Sequence, residues 1–101
     1  MEVRTFIGVH KIQKINIEYY TKTGNIAIDL IENNDLFATL TVNLGEKLNN
    51  DEAYIDVKRN PWAEKFIKEN KLGKNTGKLG FSGYNVYPLY KLNMKELKKY
   101  T

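Results

Sequence analysis

The sequence predicts an α+β fold: an antiparallel sheet of about four to six strands packed against one amphipathic helix, with a short C-terminal helix. Three observations predict it. Apolar and polar residues alternate through much of the first half of the chain, which is the period of a half-buried strand. Turn-forming triplets, Thr23-Gly24-Asn25 and Asn33-Asn34-Asp35, punctuate that alternation. One later stretch, opening at Asn60-Pro61-Trp62, carries apolar residues at helical spacing. A length of 101 residues fits one domain, residues 1–101.

Taken in order, Thr5-Phe6-Ile7-Gly8-Val9 is an apolar run of no clear type. Ile15, Ile17 and Tyr19 then alternate with Asn16, Glu18 and Tyr20 as a strand, and Ile26, Ile28 and Leu30 as a second, with Asp29 on its other face. Leu36, Ala38, Leu40 and Val42 are expected to face one way along a third strand, with Phe37, Thr39 and Thr41 facing the other. Short polar turns between these strands argue for an antiparallel meander. Residues 43–52 are polar and read as a loop, and Ala53 to Val57 as a fourth strand. The helix is expected from Pro61 to Lys71, capped by Asn60, with Pro61 in its first position. Trp62, Ala63, Phe66 and Ile67 form its apolar stripe, and Trp62 with Phe66 reads as core. Glu64–Lys68 and Lys65–Glu69 are spaced to pair on the outer face, and Gly73 suits a left-handed helix end. Residues 73–85 hold four glycines and fit no regular element. Val86 to Leu92 reads as a returning strand, with Pro88 favouring a sheet edge or a strand start. Asn93 and Glu96 are spaced as a capping box for a helix from Met94 to Tyr100.

Composition narrows the chemistry. The chain has no cysteine, which removes disulfides, thiolate metal sites and cysteine nucleophiles together. No run of basic then apolar residues marks a leader, and no apolar stretch approaches the roughly 20 residues that span a bilayer. A cytoplasmic protein without a membrane partner is therefore expected. His10 is the single histidine and has no acidic neighbour in sequence, so an exposed residue without a role is expected. The carboxylates Asp29, Glu32, Asp35, Asp51, Glu52 and Asp56 fall in turns or on polar strand faces, where solvation accounts for them. Gly73-Lys74-Asn75-Thr76-Gly77-Lys78 has a superficial likeness to a phosphate loop. It has one residue too few between its glycines, and Leu79 stands where a hydroxyl should meet magnesium. No catalytic residue, metal ligand or cofactor is expected, and the protein is read as a non-enzyme.

Charge is unevenly placed. Residues 1–69 hold 9 basic and 11 acidic side chains, whereas residues 70–101 hold 7 lysines and only Glu96. Between residues 70 and 95 there is no acid, and Phe81, Tyr84, Tyr87 and Tyr90 are interleaved with the lysines. Lysines neutralise phosphates and aromatics stack on bases or anchor protein interfaces. Glycines in a tight surface loop, with aromatics packed on the sheet, would give the same string. Lys74, Lys78, Phe81, Tyr84 and Tyr87 are the candidate partner-binding residues. A protein partner is expected first, with nucleic acid as the alternative; a homodimer through an edge strand or exposed aromatic stays open.

Three strings are distinctive: Leu36 through Lys47, Pro61-Trp62-Ala63-Glu64 with Phe66-Ile67, and Gly80-Phe81-Ser82-Gly83-Tyr84 with Tyr87-Pro88-Leu89-Tyr90. Over nearly the whole chain they resemble an uncharacterised family of small proteins from Gram-positive bacteria and their phages, plasmids and conjugative elements. The resemblance transfers no functional residue. It implies a protein of a mobile element, and small proteins of such elements are often antagonists of host defence, including anti-CRISPR proteins that bind an effector nuclease.

Overall fold

A computed structural model describes residues 1–101. It is α+β, as expected, with nine strands divided among three antiparallel sheets instead of one. Strands β1 (Glu2–Thr5) and β2 (Gly8–Lys11) form a hairpin whose two-residue tip is Phe6-Ile7, both fully exposed. The apolar run of uncertain type is thus a turn. Strands β3 (Lys14–Tyr19), β4 (Ile26–Glu32) and β5 (Asp35–Thr39) make the expected meander. Asn33 and Asn34, with φ of 51° and 68°, supply the two left-handed residues of its second turn.

The predicted third strand departs from its alternation for two reasons. Phe37 is an extra residue opposite the Leu30–Ile31 step, so the phase flips: Leu36 is exposed and Phe37 packs against the core. At Leu40 the chain then leaves this sheet. Its N–H donates to Ile28 in β4, while its carbonyl accepts from Asp56 beyond the next sheet's second strand. Strand β6 (Thr41–Val42) starts the four-stranded sheet, followed by β7 (Glu52–Ile55), β8 (Gly73–Ser82) and β9 (Asn85–Leu92), in the order β6-β7-β9-β8.

Helix α1 (Ala63–Glu69) is shorter than expected and begins after Trp62. Asn60 does not cap it with its side chain. That amide is buried and donates to the Thr39 carbonyl, tying the helix entry to the end of β5. Neither Glu64–Lys68 nor Lys65–Glu69 forms an ion pair. Glu64 instead accepts from the Tyr90 hydroxyl and from Asn75. The helix ends in a Schellman arrangement, with Leu72 N–H bonded to Ile67 and Lys71 N–H to Lys68. Its left-handed residue is Lys71, at φ 56°, and not Gly73. Gly73 serves close approach instead, because a Cβ there would lie 2.8 Å from the Lys91 carbonyl oxygen. The short α2 (Met94–Lys98) ends before the expected Tyr100 and has half of the expected capping box. Asn93 accepts from the Glu96 N–H at 3.1 Å, while the Asn93 N–H bonds the Leu72 carbonyl and Glu96 takes Lys99.

The main core lies between the two larger sheets and the helices. Ile15, Ile26, Ile28, Leu30, Ile55, Ile67, Leu72 and Leu97 are among its fully buried members, and Val3 joins it from the N-terminal hairpin. Trp62 packs on it, edge-on to Phe66 with ring centroids 6.0 Å apart and tilted against Phe37 at 5.6 Å. Tyr54, Tyr87 and Leu89 form a smaller cluster on the opposite face of the four-stranded sheet, beneath Leu44 and Leu48 of the 43–51 loop. Buried Asn25 pins that loop, donating to the Glu46 carbonyl and accepting from the Leu48 N–H.

Gly80 completes the smaller cluster by having no side chain. A Cβ there would lie 2.5 Å from the Tyr54 ring and 2.6 Å from Leu44. Gly80→Ala is therefore expected to destabilise the fold by about 1–3 kcal/mol through overpacking. Urea unfolding checks this, and an unchanged midpoint would refute the packing account.

Candidate functional site

The glycine-rich segment expected to be irregular is strand β8, and its irregularity is confined to one bulge. Asn75 pairs with Tyr90 and Leu79 with Pro88, so Thr76, Gly77 and Lys78 stand opposite Leu89 alone. Gly77 takes φ 85°, its N–H held by Asn75 Oδ1, and Thr76 Oγ1 both donates to the Leu89 carbonyl and accepts from Lys78 N–H. Beyond the bulge the ladder resumes to Ser82–Asn85, closed by Gly83-Tyr84. Gly83, at φ 61°, supplies the first central residue of the tight turn.

Pro88 does not lie on an edge strand, since β9 runs between β7 and β8. The ladder between β7 and β9 ends at the Tyr54–Leu89 pair, one residue short of Pro88. A proline has no N–H to give a second neighbour. From Pro88 outward only β8 and β9 remain, and they form a two-stranded ribbon.

One face of that ribbon is bare and apolar. Leu79 and Phe81 are two residues apart on β8, and Val86 lies directly opposite Phe81. They are 54%, 66% and 43% exposed, and Tyr84 at the tip is 104% exposed. Nearer the base the same face carries Tyr90, which enters the main core beside Glu64 of α1.

The expected partner-binding residues divide. Phe81 and Tyr84 are together on this ribbon. Tyr87 is a correction: it lies on the opposite face, 7% exposed, in the cluster with Tyr54 and Leu89. The strand period explains it, because Tyr87 pairs with Gly80 and not with Phe81. Lys74 and Lys78 are both exposed but do not converge. Lys78 borders a groove with Glu46, Glu52 and Tyr54, whereas Lys74 borders another with Lys68, Lys71 and Lys91. The sequence reading missed Leu79 and Val86. Their signal was the alternation Leu79-Gly80-Phe81-Ser82, hidden by the glycines around it.

Elsewhere, His10 is half-buried, with its Nδ1 at 3.1 Å from both carboxylate oxygens of Glu32 and its ring 4.5 Å from that of Phe37. It clasps the β1–β2 hairpin to the meander, which corrects the expectation of an exposed residue without a role. Asp56 is also not solvated. It is buried and accepts from the Arg59 N–H. No group of three or more histidine and carboxylate side chains is arranged to hold a metal ion. No helix is long and apolar enough to cross a membrane.

Comparison with known proteins adds one assignment. Residues 14–101 match the family model described as Domain of unknown function (DUF4313). The chain belongs to this family. The match starts at β3 and leaves the β1–β2 hairpin outside it. No curated protein and no solved structure matches the chain.

Three phenols are held above the ordinary tyrosine value of 10.0. Burial is the main cause for Tyr90, reinforced by its bond to Glu64 and that carboxylate's charge. Burial also leads for Tyr54, with Glu46 adding to it, and for Tyr20, where the bond to Thr41 opposes it. Above pH 10 the unfolded chain releases phenolic protons that the folded chain retains, so stability falls as pH rises. The contribution is complete below pH 10 and is lost on passing through the raised folded values. Urea midpoints measured upward from pH 9 are expected to decline, and Tyr90→Phe to flatten the decline. An equally steep decline in Tyr90→Phe would refute the assignment to Tyr90.

Proposed function

We propose that this protein is a non-enzymatic binding domain that engages a protein partner through the tip of the β8–β9 ribbon. One observation carries the reading: Leu79, Phe81 and Val86 form a continuous exposed apolar face, with Tyr84 projecting beyond it. Water-exposed apolar side chains side by side are costly to leave uncovered, and aromatic anchors dominate interface energetics. Lys78, beside Leu79, favours a partner whose apolar patch is rimmed by acids, and Lys74 extends the basic surface toward the base of the hairpin.

The resemblance to proteins of mobile elements supports a partner from host defence, in the manner of an anti-CRISPR protein that inhibits an effector nuclease in the host cytoplasm. A net charge of +4 argues against acidic mimicry of DNA and for occlusion or conformational locking of the partner. Nucleic-acid binding by the lysines and aromatics of the same region is the second reading. Lys74 favours it, while burial of Tyr87 removes one of its stacking surfaces.

The test is affinity capture from a host lysate with the wild-type chain and with Phe81→Ser/Tyr84→Ser. Both residues are exposed, so the variant is expected to keep its unfolding free energy within about 0.5 kcal/mol. It is expected to lose the captured protein. Capture of the same protein by wild type and folded variant alike would overturn the assignment to the ribbon. A parallel Lys74→Glu/Lys78→Glu variant is expected to abolish capture with the fold intact.

A further inference from the structure

Apart from the ribbon tip, we infer that the concavity at the base of the β8–β9 hairpin binds a phosphate-bearing anion. Four lysines from three elements converge there: Lys68 in the last turn of α1, Lys71 just after it, Lys74 on β8 and Lys91 on β9. With Gly73 and Asn93 they line a space of about 630 Å³, within the range of small-ligand sites.

Three of these lysines occupy positions that their surroundings disfavour. Lys74 and Lys91 are direct partners in the antiparallel ladder, where like charges repel. Lys71 holds the left-handed position of the helix end at φ 56°, a place suited to glycine or asparagine. Acids reach the cluster only at Lys91, which pairs with Asp51 at 4.0 Å and stands opposite Glu52 in the ladder with β7. Lys68, Lys71 and Lys74 form no ion pair. Glu69 lies toward a different groove, with Met1 and Arg4. An anion seated among the ammonium groups would relieve the repulsion between Lys74 and Lys91 and give Lys71 a reason to be lysine.

The donor set indicates which anion. Lysine presents a compact point charge without the planar fork by which arginine selects flat bidentate groups, and several such charges together suit a multiply charged phosphate group better than a single carboxylate. No arginine lines the space. The phosphate can belong to a free polyphosphate compound or to a nucleic-acid backbone.

Isothermal titration of the full chain with inorganic tripolyphosphate, and separately with a single-stranded oligonucleotide, tests the site. Wild type is expected to bind at least one of them at low salt. Four neutralised backbone phosphates give a slope of log affinity on log salt near −3, at about −0.7 each. Binding of tripolyphosphate identifies a free compound as sufficient, and binding of the oligonucleotide alone identifies the backbone. Lys71→Gly is the informative variant, because relief of the left-handed strain is expected to raise its urea midpoint while its affinity falls. Its slope with the oligonucleotide is expected to lose about one charge's worth. Lys22→Gly removes the same charge from the distant β3–β4 turn and is expected to bind as wild type does. Two results would overturn the inference: no binding of either probe at low salt, or equal weakening by Lys22→Gly and Lys71→Gly. Lys74 is common to this site and to the lysine variant of the partner capture, so Lys71→Gly here and Phe81→Ser/Tyr84→Ser there, which share no residue, let each idea fail or stand alone.

Discussion

The architecture turns on Leu40. This one buried residue is bonded on its N–H side to β4 and on its carbonyl side to Asp56 after β7. Each sheet alone would expose an apolar face, since neither three nor four short strands can cover themselves. Passing the chain from one sheet to the other without an intervening loop fixes their separation and angle. The core then closes between them, with α1 and α2 filling the ends. The Asn60 amide reinforces the junction from the helix side by bonding the Thr39 carbonyl next to Leu40.

From this junction the rest follows by subtraction. The core face of the four-stranded sheet, with Ala53, Ile55, Tyr90 and Leu92, shares the core with Ala63, Phe66 and Ile67 of α1, and Glu64 meets the Asn75 and Tyr90 side chains. Its other face is covered by the 43–51 loop, which Asn25 holds in place. Past Pro88 the ladder with β7 ends and the core face loses its cover, so the core-facing pattern continues into solvent as Leu79, Phe81 and Val86, while Gly80 and Tyr87 on the other face stay packed with Tyr54. The bare apolar face is thus the core pattern carried beyond the core, which distinguishes it from isolated exposed residues.

Much of the fold was legible because it rests on local rules. Alternation gave β3 and β4, paired asparagines gave the turn between β4 and β5, and Asn93 with Glu96 gave the α2 cap. What was hidden depends on partners distant in sequence. The switch at Leu40 leaves no mark, because Leu36 to Val42 reads as one strand whether or not it changes sheet. The bulge at Phe37 inverts a phase that alternation alone cannot correct. His10 looked idle because Glu32 lies 22 residues away. Within the candidate site, Phe81 and Tyr84 were visible as exposed aromatics. Tyr87 was misplaced because its face follows from pairing with Gly80, and glycine-rich strings are read as loops before they are read as strands.

Pro88 has a consequence for how this region can change over time. Because β7 releases β9 at Leu89, the outer ribbon shares no ladder with the rest of the sheet. Adding or deleting one residue in each arm, symmetrically about Gly83-Tyr84, keeps the strands paired and leaves every bond inside Pro88 untouched. Two such steps restore the same facing of side chains. The length of the ribbon beyond the packed Gly80–Tyr87 pair is therefore set by its own two strands and not by the body of the domain.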